Sequence, residues 1–120
     1  MKKQYKNIIS YVWTSDMAKA KNFYIDILGF QQLSSTDGWV ELSVPGLSTV
    51  FFALNQWPLD SPAPQNNFVT LGVGNLAEFR KYLSEKNVKL KGETEFHEEG
   101  IKLLKFFDPD GNTITAAEVV

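Results

Sequence analysis

The sequence predicts a single small domain of the α+β class, and three observations carry that expectation. A β-rich run is followed at once by an amphipathic helical stretch. Short apolar segments separated by tight turns come next, and the same order then returns in the second half of the chain. With 120 residues, 43% of them apolar and 13% aromatic, there is enough apolar material for one packed core.

Residues Ile8 to Thr14 (IISYVWT) are mostly β-branched or aromatic, the composition of a strand, and Ser15-Asp16 supplies acceptors that cap a helix. The helix is expected from Met17 to Leu28. Its apolar residues, among them Ala20, Phe23, Tyr24 and Ile27, recur at helical spacing on one face, and Gly29 stops it. That face has to cover a sheet. Phe30 to Leu33, Trp39 to Val44 and Thr49 to Leu54 follow as strands, joined by the turns Asp37-Gly38 and Pro45-Gly46 into an antiparallel meander.

The segment Asn55 to Asn67 contains Pro58, Pro62 and Pro64 and reads as a connection. It separates a first module, about residues 5–55, from a second, about 68–120, with the linker at about 56–67. The second module opens with Phe68 to Val73 as a strand, Asn75 as a cap and Leu76 to Lys86 as a helix. Val88 to Leu90, Glu93 to His97, Ile101 to Phe107 and Thr113 to Val119 complete its strands, the last two joined by Asp108-Pro109-Asp110-Gly111. Laying Ile9 on Phe68 also lays Asp16 on Asn75, Ala18 on Ala77 and Phe23 on Tyr82. Any two strand–helix units share some of this, so duplication and coincidence both stay open.

Charge and composition exclude several functions. Twelve basic against 14 acidic residues give a net charge of -2, with no electrostatic footprint for nucleic acid or an anionic membrane. The absence of cysteine removes disulfides, thiolate ligands and cysteine nucleophiles, and makes a reducing cytoplasm the simplest compartment. The basic start Met1 to Lys6 lacks a signal-peptide core, and no stretch approaches the roughly 20 apolar residues that cross a bilayer. Phosphate-cradling Gly loops and nucleophile elbows are missing too.

Two motifs carry a resemblance. The run from Asp16 to Tyr24 (DMAKAKNFY), followed by Leu28-Gly29-Phe30, and the run Phe106-Phe107-Asp108-Pro109-Asp110-Gly111-Asn112 resemble the first- and second-module signatures of the vicinal oxygen chelate superfamily, that of glyoxalases, bleomycin-resistance proteins and dioxygenases. Each motif has a structural role of its own: Phe23 and Tyr24 as core, Gly29 as helix stop, Asp108 to Gly111 as a turn in which proline presets φ and glycine permits its positive value. The resemblance implies two βαβββ modules in a cupped mixed sheet with helices outside, a ligand cavity within, and a homodimer. In the family's metal-dependent members, His, Gln or Glu on the first and fourth strands of each module hold a divalent cation.

The family's four ligand positions fall here on Ile9, Phe52, Phe68 and Thr115. Isoleucine and phenylalanine offer no lone pair, and a threonine hydroxyl is a poor ligand alone, so no metal and no other cofactor is expected. Strand alternation then fills the cup with Ile9, Tyr11 and Trp13, with Phe68 and Thr70, and with Phe52 beside Val50 and Leu54. On the third strand Val40, Leu42 and Val44 suit helix cover, leaving Trp39, Glu41 and Ser43 for the cavity.

The expected ligand-binding set is therefore Tyr11, Trp13, Trp39, Glu41, Phe52, Phe68, Thr70 and Thr115. Glu41 among aromatic rings suits a general base or a partner for a cationic ligand; the other reading is a solvent-facing glutamate. His97 either borders the cavity, as that stretch often does in the family, or is an exposed histidine before a turn. By resemblance to the bleomycin-resistance branch, the first functional expectation is a metal-independent binder of a small hydrophobic or partly cationic molecule. An enzyme of the superfamily, a lyase, isomerase or dioxygenase using Glu41, His97 or Glu118, is the second. The third is a scaffold whose cup is filled by side chains.

Overall fold

The computed structural model describes residues 4–65 and 69–119, and the chain divides into two compact units, residues 1–66 and 67–120. The first unit opens with β1 (Ile8–Thr14) and α1 (Met17–Lys21), followed by a π-helical stretch (Asn22–Ile27) and three strands, β2 (Gln31–Thr36), β3 (Trp39–Val44) and β4 (Leu47–Gln56). The second has β5 (Val69–Gly72), α2 (Leu76–Glu85), the short β6 (Glu95–Phe96), β7 (Ile101–Phe107) and β8 (Thr113–Val119). The α+β class expected from the sequence is the one observed.

Each unit forms a four-stranded mixed sheet of the same strand order, β1-β4-β3-β2 in the first and β5-β8-β7-β6 in the second. In both, the first strand runs parallel to the last and the rest are antiparallel. The helix crosses from the first strand to the meander, which returns the last strand beside the first. That common topology repeats the strand–helix grammar read from the two halves of the chain.

Helix starts follow the caps. Asp16 accepts from Lys19 N at 3.1 Å, and Asn75 accepts from Glu78 N at 3.0 Å. Fully buried Thr14 ties strand to helix: its hydroxyl donates to Asp16 O at 3.0 Å and accepts from Asp16 N at 3.1 Å. The first helix then departs from the regular form expected. Leu28 N donates to Phe23 O at 2.9 Å, five residues back, so the turn is widened. Consecutive Phe23 and Tyr24 are both buried, with rings 4.9 Å apart and nearly perpendicular. Gly29, at φ 82, closes the helix as its left-handed residue.

The core of the first unit lies between this helix and one face of the sheet. Tyr24 packs 4.9 Å from Phe52 and 6.0 Å from Phe30, while Val12, Val40, Leu42 and Leu54 are almost completely buried. Each such side chain contributes roughly 1.5–3 kcal/mol by leaving water. In the second unit Leu76 and Leu83 of α2 are buried along with Leu104, Phe106, Ile114 and Ala116 of the sheet. Two strands read from the sequence shrink: Val88 to Leu90 keeps only a bridge from Leu90 to Phe106, and Glu93 to His97 keeps only β6.

Candidate functional site

Strand register decides which side chains share a surface. Tyr11 on β1 stands beside Ala53 on β4, which stands beside Glu41 on β3; one step along, Trp13, Asn55 and Trp39 form a second row. Directly paired residues project to the same side of a sheet. Ile9, Phe51 and Ser43 form a third row on that side. The opposite side carries Val12, Leu54 and Val40 beneath the helix.

Aromatic rings connect along the helix-free side. Trp39 lies 5.8 Å from Tyr11, Tyr11 lies 5.7 Å from Trp13 in an edge-to-face arrangement, and Trp13 lies 5.2 Å from Trp57. Ala53 beneath them is fully covered, whereas Tyr11 keeps 37% of its surface exposed. Glu41 is half-buried across Ala53 from Tyr11. With strands about 4.8 Å apart, their Cα atoms are roughly 10 Å apart. An alkylammonium resting on the rings would meet a carboxylate at the edge of the aromatic surface.

Trp57 did not stand out in the sequence because it lies in the proline-bearing connection. The structure continues the β1–β4 pairing to it: Trp57 N donates to Thr14 O at 2.8 Å, and its indole N–H donates to Ser61 Oγ at 3.3 Å. The alternation Phe51, Ala53, Asn55, Trp57, followed past Leu54, is the signal that finds it.

Phe52 requires a correction. Alternation from the family's ligand position puts it on the side of Ile9 and Tyr11, with Leu54, but the structure puts both on the helix side. Phe51 is the partner of Ile9, and Phe52, 4% exposed, packs on Tyr24 and Phe30. Adjacent phenylalanines in a strand point to opposite faces, and the aromatic core beneath the helix captures the second.

In the second unit Thr70 stands beside Thr115, and Thr115 beside Lys105, on the side away from buried Ile114 and Ala116. Glu95 joins this surface: one carboxylate oxygen lies 3.2 Å from His97 Nε2 and the other 3.7 Å from Lys105 Nζ. His97 is exposed. Glu118 belongs elsewhere, accepting from Leu76 N at 2.7 Å at the start of α2 and lying 3.5 Å from Lys102. The backbone donor, aided by the Lys102 charge, holds its carboxyl below the ordinary value of 4.5. Phe68 lies outside the described residues. A shallow depression of about 250 Å³ at the start of β1, lined by Tyr5, Ile8 and Val50 among others, lies at the far end of β1 from Trp13.

The superfamily's metal does not fit the donors at its expected positions. Ile9 and Phe52 cannot coordinate, and correcting the register substitutes Phe51, which cannot either; Phe68 has no donor, and Thr115 brings one hydroxyl. Among the described residues no three His, Asp or Glu side chains converge as metal ligands.

Repeated βαβββ topology, the two motifs and the sheet geometry agree with comparison to known families. The chain belongs to the glyoxalase/bleomycin resistance protein/dioxygenase superfamily, whose family model matches residues 7–115. Similar solved structures include TnmS3, an antibiotic binding protein from Streptomyces sp. CB03234, at 24% identity and TM-score 0.77, covering 100% of this chain and 99% of that one. A glyoxalase/bleomycin resistance protein from the same organism is 26% identical with TM-score 0.69, covering 92% and 97%. Lactoylglutathione lyase from Agrobacterium tumefaciens is 15% identical with TM-score 0.75, covering 92% and 91%. No curated protein sequence matches the chain. Among the described residues no helix is long and apolar enough to cross a membrane.

Proposed function

We propose that this chain binds a small aromatic or partly cationic molecule on the surface formed by Tyr11, Trp13, Trp39 and Trp57, without a metal and as a homodimer. The observation that carries the reading is the run of touching rings with half-buried Glu41 at its edge. Rings supply apolar area and attract cations, and the carboxylate favours positive charge. Three donor-free side chains and a single hydroxyl at the expected metal positions favour capture over metal-assisted chemistry. One structural neighbour is described as an antibiotic binding protein, which suits such a ligand.

A thermal-shift screen with arylammonium ions, tetra-alkylammonium ions and benzyl alcohol tests it. At a hundredfold excess over Kd a ligand adds about 2.7 kcal/mol, raising the midpoint of a domain this size by several degrees. No stabilisation by any of them would defeat the proposal. Elemental analysis of protein purified without chelator tests metal independence, and stoichiometric zinc, iron or manganese would favour the enzyme reading. Light scattering tests the dimer. Complete covering of Ala53 by its neighbours supports a second reading, a packed interaction scaffold, which a ligand-inert but self-associating protein would favour.

A further inference from the structure

Residues 89–91 run alongside β7: Phe107 N donates to Lys89 O at 3.0 Å, Lys91 N donates to Lys105 O at 2.8 Å, and Leu90 bridges Phe106. Phe106 is fully buried, so Leu90 follows it toward the core, and alternation sends Lys89 and Lys91 to the side of Phe107. Their ammonium groups lie 5.5 and 5.9 Å from the centroid of that ring. Two residues apart on extended backbone, their Cα atoms are roughly 6–7 Å apart. Two like charges are therefore gathered at a single aromatic side chain. Arg80, Lys102 and Lys105 each face a glutamate, but among the described residues neither Lys89 nor Lys91 is in an ion pair. Thr113, the partner of Phe107 on β8, adds a hydroxyl on the same side.

We propose that Lys89, Lys91 and Thr113 bind the oxyanion of a small ligand, a carboxylate or a phosphate, beside Phe107. A ring quadrupole attracts one ammonium but does nothing to relieve the repulsion between two. An oxyanion between them does so, and it accepts charge-assisted hydrogen bonds from both while the hydroxyl donates a third. Phe107 provides the apolar wall that holds the lysine stems in place. This site is chemically opposite to the aromatic surface beside Glu41 and stands independently of it.

Titration of ¹⁵N-labelled full chain with inorganic phosphate, acetate or chloride at matched ionic strength tests the proposal. Saturable amide shifts at Lys89, Lys91, Phe107 and Thr113 are expected with phosphate or acetate, and the tighter of the two identifies the oxyanion. The Lys89→Gln/Lys91→Gln variant should bind at least about tenfold more weakly, since two charge-assisted contacts are lost. Lys89→Arg/Lys91→Arg should retain binding. Equal shifts with chloride, or undiminished affinity in the double glutamine variant, would overturn it.

Discussion

Asp108 is expected to hold the turn between β7 and β8 together, and its substitution makes a quantitative test. Its carboxylate accepts from Asp110 N at 3.0 Å, from Asn112 N at 2.8 Å and from Asn112 Nδ2 at 2.8 Å. Asp108 is 6% exposed and Asn112 1%. Asp108→Ala leaves three donors without this acceptor. With about 1–3 kcal/mol for each buried group left unsatisfied, and some recovery as the turn relaxes, the cost is roughly 3–5 kcal/mol. That is a large part of the roughly 5–15 kcal/mol that holds a typical domain together.

Asp108→Asn should cost far less, about 1 kcal/mol, for a specific reason. The Oδ1 of Asn112 is buried and has no hydrogen-bond partner among the described residues, so rotating that amide presents an acceptor to the new NH₂ group. Asn112→Asp should be severe, because it sets two buried carboxylates face to face, and Asp108→Asn added to it should restore much of the loss. Urea unfolding followed by circular dichroism reads all four variants as midpoint changes at constant slope. An Asp108→Ala cost under about 1 kcal/mol would refute the reasoning, as would failure of the double variant to recover.

Glu118, with its carboxyl held low, contributes stability that is present above pH 4.5 and lost as pH falls through the depressed value. Glu118→Gln should thus destabilise at neutral pH, and its difference from the parent should shrink on acidification, as urea midpoints from pH 7 to 3 would show. Trp39→Ala should weaken an arylammonium ligand by about 1–2 kcal/mol, roughly five- to thirtyfold by calorimetry, with little loss of stability because its ring lies away from the helix core. Glu41→Gln should weaken the same cation about fivefold while leaving benzyl alcohol unaffected. Gly29→Ala places a Cβ where φ is 82 with nothing within 4 Å, so it should cost about 1 kcal/mol through backbone strain alone.

Much of the architecture was legible because local chemistry and long-range packing agree. Asp16 and Asn75 cap the helices that follow them, and Ile8 to Thr14 form a strand at the residues its composition marked. The widened turn at Asn22 to Ile27 was not legible: spacing alone describes a helix face, while the extra residue per turn answers to two adjacent aromatics seeking the same core. Tyr11, Trp13, Trp39 and Glu41 fall on one surface because alternation in β1 and β3 is unambiguous. Phe52 misled because Phe51-Phe52 reads equally well in either phase, and only Tyr24, distant in sequence, breaks the tie. The clustering of Lys89 and Lys91 at Phe107 needed the pairing across to β7, which no local pattern records.

Parallel pairing of the opening and closing strands, Ile8 beside Val50 and Val69 beside Ile114, makes each half complete its own hydrogen-bonded ladder. A half could therefore be traded between two molecules without unzipping a strand. Such a trade would leave every backbone pairing of both ladders as it is, so no strand need unfold for it.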